Sequence, residues 1–527
     1  MQTMNKFFLK ILIILINILP IVSIAQNNKY LIIFKDKNNT SFDPCNYFDT
    51  KTIERRIKFN IPLYDFTDFP VNQYYLQEVL NNADSFTVVT RWFNGVFIYT
   101  DNYRINKIEL FPFVKDVEYI ETNHFLQLCN IDSFFDYEDD IDEKKIELLQ
   151  KQIDEFVPSS FFENKINGQG VRIAVFDGGF PKVNTHEAFE HIRKNNRIIK
   201  TYDFVKKKDF VYSYNSHGMM VLSCIAGICK GKQMGLATES EFLLARTEKE
   251  SEPFAEEEYW LAAAEWADKN GADIINSSLG YTYHRYFYKD MDGKQTLVAR
   301  AANMASSKGI LVVNAAGNDG DNAWKYINTP GDADSVLTVG GIDPYKSNLK
   351  INFSSVGPTY DKRLKPNVCG SGMAVVATKK GYGINYGTSF ASPLVAGFAA
   401  CVKQLYEDSS NMSIFNLIQQ SASLFPYYDY YHGYGIPNAH KLMHNEELEP
   451  TFEVKEDENT YKVIIKNNFK CSESEPLFYH ILNSSGYLDK YYVVKVCQKI
   501  PLEISKKELD GARKFRIHYK GYTSKLY

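Results

Sequence analysis

Cysteine is scarce in this chain: eight in 527 residues, far too few for a disulfide scaffold. No C-x-x-C pair and no Cys/His cluster has zinc spacing, so the sequence assigns no metal site. No sign of charge dominates. Sixty Lys and Arg stand against 64 Asp and Glu, a net charge of −4, which gives no electrostatic case for nucleic acid as a partner. Long apolar runs are missing after the N-terminus, so no later segment reads as a membrane span. Internal repeats and low-complexity tracts are absent as well. The 44% apolar and 24% charged residues exclude a wholly disordered or fibrous chain. At this length about three or four domains are expected.

What is present starts at the N-terminus. Lys6 and Lys10 precede an apolar run over 11–24, and Ser23 and Ala25 put small residues ahead of Gln26. That is the pattern of a secretory signal peptide over 1–25. The run is shorter than the roughly 20 residues of a membrane span, and Pro20 sits near its end. The expected mature protein is secreted or held at the cell surface, with no transmembrane helix. Export permits disulfides: Cys471 and Cys497 share the C-terminal region and could bridge two strands there. Most of the others, Cys45, Cys129, Cys224, Cys229, Cys369 and Cys401, read as free thiols.

The chain changes texture along its length. Strand-like runs at 30–34, 86–90, 95–99 and 117–120 alternate with helical stretches at 71–82 and 104–110, giving a small α+β unit within 26–130. The crowded carboxylates of 132–147 predict a solvated linker over 131–150. From 151 to 446 apolar strands (171–176, 242–245, 272–276, 310–313, 336–339) alternate with helices such as 256–270 and 296–308. Such alternation implies a parallel sheet covered by helices on both faces, with catalytic groups at the carboxyl ends of the strands. Strand-like runs return at 461–465, 491–494 and 515–518, predicting a small β domain over 447–527.

Three motifs in the central block carry chemistry. Asp177 ends an apolar strand and precedes Gly178 and Gly179. A charge there needs a partner, although an ordinary strand-to-loop aspartate reads the same way. His217, between Ser216 and Gly218, opens a run with helical spacing. The first turn of a helix favours the neutral imidazole of a general base; a core histidine is the alternative. Ser389 follows Gly387 and Thr388 at the start of a helix expected to run to about 406, with Pro393 tolerated in or just after its first turn. Backbone N–H groups and the helix dipole there could stabilise an oxyanion; the plainer reading is an N-cap serine. Together the three supply carboxylate, imidazole and hydroxyl in the order Asp, His, Ser.

With these motifs the sequence resembles the subtilisin-like serine peptidases over about 168–443. Gly387-Thr388-Ser389-Phe390-Ala391-Ser392-Pro393 is the most specific string. Ser278-Leu279-Gly280 looks like the strand that pairs with substrate, and Ala315-Ala316-Gly317-Asn318 like the loop carrying an oxyanion asparagine. The resemblance implies an α/β fold, a subtilisin-like parallel sheet with helices on both faces, preceded by a small α+β propeptide and followed by a small β domain. It implies Ser389 as nucleophile, His217 as base, Asp177 as its orienting carboxylate and Asn318 as oxyanion donor. Ser278, Leu279 and Gly280 form one wall for substrate; Ala315, Ala316 and Gly317 form the other. Neither wall has an acidic residue, so a hydrophobic or broad preference is expected.

The expected partners are protein or peptide substrates and the chain's own propeptide, which would block the enzyme until it is cut off. A permanent accessory domain is the alternative reading of that unit. No cofactor is required. Many members of the family bind structural calcium, but no ligand loop for it can be assigned here. The family commonly has Thr and His after His-Gly, where this chain has Met219 and Met220. A binding module that had kept only the fold would be expected to have lost one of the four catalytic residues. An esterase or lipase would carry a Gly-x-Ser-x-Gly elbow at Ser389.

Overall fold

The computed structural model describes residues 28–120, 141–249, 255–282, 285–444, 448–466, 476–496, 500–509 and 514–527. The expected signal peptide, most of the acidic stretch, Cys129, Cys471 and Cys497 lie outside them. The chain divides into two compact units. The first holds 1–40, 71–89 and 93–122, and the second holds 41–70, 90–92 and 123–527.

The first unit runs β1 (Asn28–Phe34), a helix Gln73–Leu80, β2 (Ser85–Thr90), β3 (Gly95–Thr100), a helix Asn102–Glu109 and β4 (Val114–Ile120). The sheet order is β2-β3-β1-β4, with β1 antiparallel to both β3 and β4. Tyr30, Ile32 and Phe34 alternate along β1 into one core with Val79, Ile105 and Ile108. The side chains of Asn72 and Asp101 accept from the first free N–H groups and start the two helices. The expected order of elements is present. Residues 41–70, expected to belong to this unit, group instead with the second.

The second unit is built on a parallel sheet. Its strands are β5 (Arg172–Asp177) and β6 (Ile198–Asp203), then, after the small hairpin β7 (Ile228–Cys229) and β8 (Lys232–Gln233), β9 (Glu241–Arg246), β10 (Ile274–Ser277), β11 (Leu311–Ala315), β12 (Val336–Asp343), β13 (Leu349–Lys350) and β14 (Val368–Ser371). The order is β13-β12-β11-β10-β5-β9-β6, with β14 also on β12; β13 alone is antiparallel. All six residues of β5 are buried because helices cover both faces. Ile173 and Val175 join a core with the helices His217–Ala226 and Thr388–Leu405. Phe176, on the other side, packs edge-on against Trp260 of the helix Ala255–Lys269. A hairpin of β15 (Met373–Thr378) and β16 (Gly381–Tyr386) leads into the Thr388 helix.

The C-terminal part forms two antiparallel sheets. One is β17 (Phe452–Glu456), β18 (Thr460–Ile465) and β21 (Leu502–Ser505); the other is β19 (Leu477–Leu482), β20 (Leu488–Val494), β22 (Lys514–Tyr519) and β23 (Tyr522–Thr523). Phe452, Val463 and Ile504 of the first share a core with Ile481, Phe515 and Ile517 of the second. Cys224, Cys229, Cys369 and Cys401 are free and buried; Cys45 is free and exposed. Among the described residues no helix is long and apolar enough to cross a membrane.

One expectation is corrected here. A helix, Glu143–Asp154, occupies the end of the stretch assigned to a linker. Asp142 caps it, and the adjacent Leu148 and Leu149, with Ile153 one turn further on, enter the peptidase core. Counting carboxylates hid that spacing. The following residue, Glu155, is half-buried with its carboxyl turned inward, where it accepts a hydrogen bond from the Ser371 N–H at 2.9 Å. Burial pushes its carboxyl up to about 8, against an ordinary 4.5. The folded chain therefore keeps a proton that the unfolded chain releases. This contribution to stability is full below about pH 4.5 and is lost as the pH rises through about 8. Glu155→Gln, always neutral, is expected to melt increasingly above wild type as pH rises from 5 to 9, which thermal unfolding across that range measures.

Candidate active site

The site grows from the carboxyl end of β5. Asp177 is only 1% exposed, so its charge has to be met by donors. The Gly178 N–H donates to Oδ1 at 2.7 Å, and both carboxylate oxygens lie 2.9 Å from His217 Nδ1. His217 is the first residue of its helix, as expected, and Asn215 Oδ1 accepts from its N–H at 2.9 Å. Gly218 is what lets this helix come so close. A Cβ there would lie 2.8 Å from Asp177 Cβ and collide with the Gly179 carbonyl. Behind the turn, Arg246 donates to the Gly178 carbonyl at 3.1 Å while its other arm is held by buried Asp203. Met219 and Met220, the departures from the family pattern, are fully buried core residues.

Ser389 is the second residue of the helix Thr388–Leu405 and is half-buried. Gly387 before it has φ +150°, a conformation that favours glycine. The imidazole of His217 lies beside this turn, its ring 5.8 Å from that of Phe390. Ser389 Oγ donates to the Ser278 carbonyl at 3.3 Å, and Ser278 Oγ donates back to the Ser389 carbonyl at 2.9 Å. The second bond explains Pro393. That proline lies inside the helix, just after its first turn, and lacks the N–H that would bond the Ser389 carbonyl. Ser278 supplies the missing donor.

Asn318 reaches the same turn from the loop after β11. Its Oδ1 accepts from the Thr388 N–H and hydroxyl, both at 2.9 Å, which leaves Nδ2 as the end able to donate elsewhere. Thr388 Oγ1 also accepts from the Gly317 N–H at 3.2 Å. Gly317 has φ +107°, and a Cβ there would run into Asn328. The two expected substrate walls are tied together: Asn314 Nδ2 donates to the Leu279 carbonyl at 3.1 Å and the Ala315 carbonyl at 2.7 Å, and the Asn328 N–H donates to the Ala316 carbonyl at 3.1 Å. Asn328 presses on both walls, since a Cβ on Gly280 would lie 2.8 Å from its own Cβ. Thr388, Arg246, Asn314 and Asn328 were missed from sequence. Only Thr388, inside the Gly-Thr-Ser string, had a local signal.

A carboxylate-bound imidazole near a serine at a helix N-terminus, with an asparagine amide at the same turn, is the arrangement of a serine hydrolase. The comparisons narrow the class. The subtilase family profile matches residues 168–445, and a peptidase S8 propeptide domain of Bacteroidota matches residues 29–130. The chain is 30% identical over 277 residues to subtilisin Savinase of Lederbergia lenta, covering 52% of this chain and 91% of that protein. It is 28% identical over 275 residues to subtilisin DY of Bacillus licheniformis, covering 52% and 90%. A solved cold-adapted subtilisin-like serine proteinase is 26% identical, covering 50% of this chain and 86% of that one, with a TM-score of 0.40. The chain belongs to the subtilase family; it is a subtilisin-like serine endopeptidase with a propeptide domain.

Gly218→Ala is expected to push the His217 helix off β5. A displacement near 1 Å at reacting groups costs about 100-fold in rate. Peptidase assays should show a fall of that size with most of the melting temperature retained.

Proposed function

We propose that the protein is a secreted endopeptidase, made as a zymogen, that cuts peptide bonds through Asp177, His217 and Ser389 by way of an acyl-enzyme. Ser389 Oγ attacks the peptide carbonyl. His217 Nε2 takes the serine proton and passes it to the leaving amine, while Asp177 fixes the ring through Nδ1 and stabilises the imidazolium. Water then attacks the ester with His217 again as base, and Ser389 regains its proton. Asn318 Nδ2 and the Ser389 N–H hold the oxyanion. An extended substrate lies along Ser278, Leu279 and Gly280, and the side chain before the cut enters between them and Ala315, Ala316 and Gly317. Asn328 gives that pocket a polar base.

The observation that carries this reading is the paired 2.9 Å approach of the Asp177 carboxylate to His217 Nδ1. The propeptide match over 29–130 supports a zymogen. We divide the precursor into a signal peptide (1–25), a propeptide (26–130), an acidic segment in which it is cut, a peptidase domain that opens with the helix Glu143–Asp154 and runs to 446, and a β domain (447–527).

The test is to express the full chain beside Ser389→Ala, determine each product's N-terminus by mass spectrometry, and assay both on a protein substrate. Wild type is expected to lose its propeptide. The variant should keep it and lose about 10⁴-fold or more in activity. Equal processing together with equal proteolysis would remove Ser389 from its role. Asn318→Ala is expected to lower kcat about 100- to 1,000-fold, a scale known from a subtilisin rather than obtained from this geometry. Asn328→Gly is expected to shift kcat/KM toward peptides with a large apolar residue before the cut, which a matched substrate series measures.

A further inference from the structure

Residues 41–70 interrupt the first unit in sequence but are packed into the second. They form two short helices, Pro44–Tyr47 and Thr50–Lys58, and a single turn at Phe66–Asp68. Their contacts fall where the parallel strands begin. Arg55 donates to the carbonyls of Ala272 and Lys308, just ahead of β10 and β11, and pairs with Asp268. Arg56 bridges Asp68 and Asp268. The Lys308 ammonium lies 3.1 Å from Asp65 and 3.4 Å from Asp68. Thr52 donates to the Asp268 carbonyl. Asp49 pairs with Arg172, the first residue of β5, and Lys51 with Asp273.

Three cations, Arg55, Arg56 and Lys308, thus face three carboxylates, Asp65, Asp68 and Asp268. The side chains of Arg56, Asp68 and Asp268 are at most 2% exposed. Charges buried to this degree are tolerated only when matched, so the face selects its occupant by charge pattern. Asp177 stands at the other end of β5, roughly 17 Å away along a strand rising about 3.3 Å per residue. Occupying this face leaves the catalytic end of the sheet open.

We propose that residues 41–70 are a clamp. Their docking surface is the start of the sheet at Arg172, Asp268, Ala272, Asp273 and Lys308, and they stay bound there after the chain is cut beyond the propeptide. Holding the propeptide and blocking catalysis are then separate tasks of different parts of the chain. The proposal rests on the reading above only for the existence of that cut.

The test uses the inactive Ser389→Ala full chain, so a failure of the catalytic reading leaves it intact. A recognition sequence for a site-specific protease is inserted at 131–140, the purified chain is nicked, and gel filtration at falling concentrations measures whether the fragments part. They are expected to co-elute into the nanomolar range. Arg56→Met is expected to weaken their association about 100-fold or more, because it leaves Asp65, Asp68 and Asp268 facing only two cations. Thr52→Val should weaken it about tenfold. Lys58→Ala, which removes an exposed pair with Asp408, should leave it unchanged. If Arg56→Met does not fold, Thr52→Val decides. Fragments of the parent that separate at micromolar concentration, or an association indifferent to both substitutions, would overturn the clamp.

Discussion

A carboxylate buried at the end of an apolar strand is a liability unless donors are brought to it, and much of this site follows from meeting that demand at Asp177. Its position in the middle of the sheet comes from β5 pairing with β10 on one side and β9 on the other. The donors are the Gly178 amide and the His217 ring, and the ring can arrive only because residue 218 has no side chain. The same bonds that satisfy the buried charge fix the imidazole. A requirement of folding and a requirement of chemistry are therefore met by one contact.

The serine side follows a parallel logic. The helix that carries Ser389 is buried almost all round, so it needs strong apolar packing and a secure start. Its start is secured by side chains from the loops that follow β10 and β11: Asn318 takes the Thr388 amide and Ser278 takes the carbonyl that Pro393 leaves unbonded. Each of these also belongs to the proposed oxyanion and substrate sites. The local defects of the helix, an orphan amide and an orphan carbonyl, are what fasten it to the catalytic end of the sheet.

The two ends of the parallel sheet carry different tasks. Asp177, Ser277 and Ala315 close the strands at the catalytic end, while Arg172 and the residues just before β10 and β11 meet a balanced set of charges from 41–70. Parallel strands pair over long stretches of sequence and form slowly. A segment that grips the starts of β5, β10 and β11 at once supplies contacts such a sheet cannot make early by itself.

The strands, the catalytic helices and the order Asp177, His217, Ser389 were legible in the sequence because each depends on local patterning: continuous apolar runs, helical spacing, and glycines beside chemically active residues. The α+β unit was legible for the same reason. The helix at Glu143–Asp154 was obscured by its charge, and the removal of 41–70 to the peptidase core has no local signature, since Arg55 and Arg56 meet Asp268 only across some two hundred residues. The same holds for Ser278 under Pro393 and Asn328 between the walls. The sequence alone determined which side chains could do the chemistry. Tertiary structure decided which of them meet, because hydrogen bonds and buried charges are satisfied by whatever the fold brings within about 3 Å, whatever their separation along the chain.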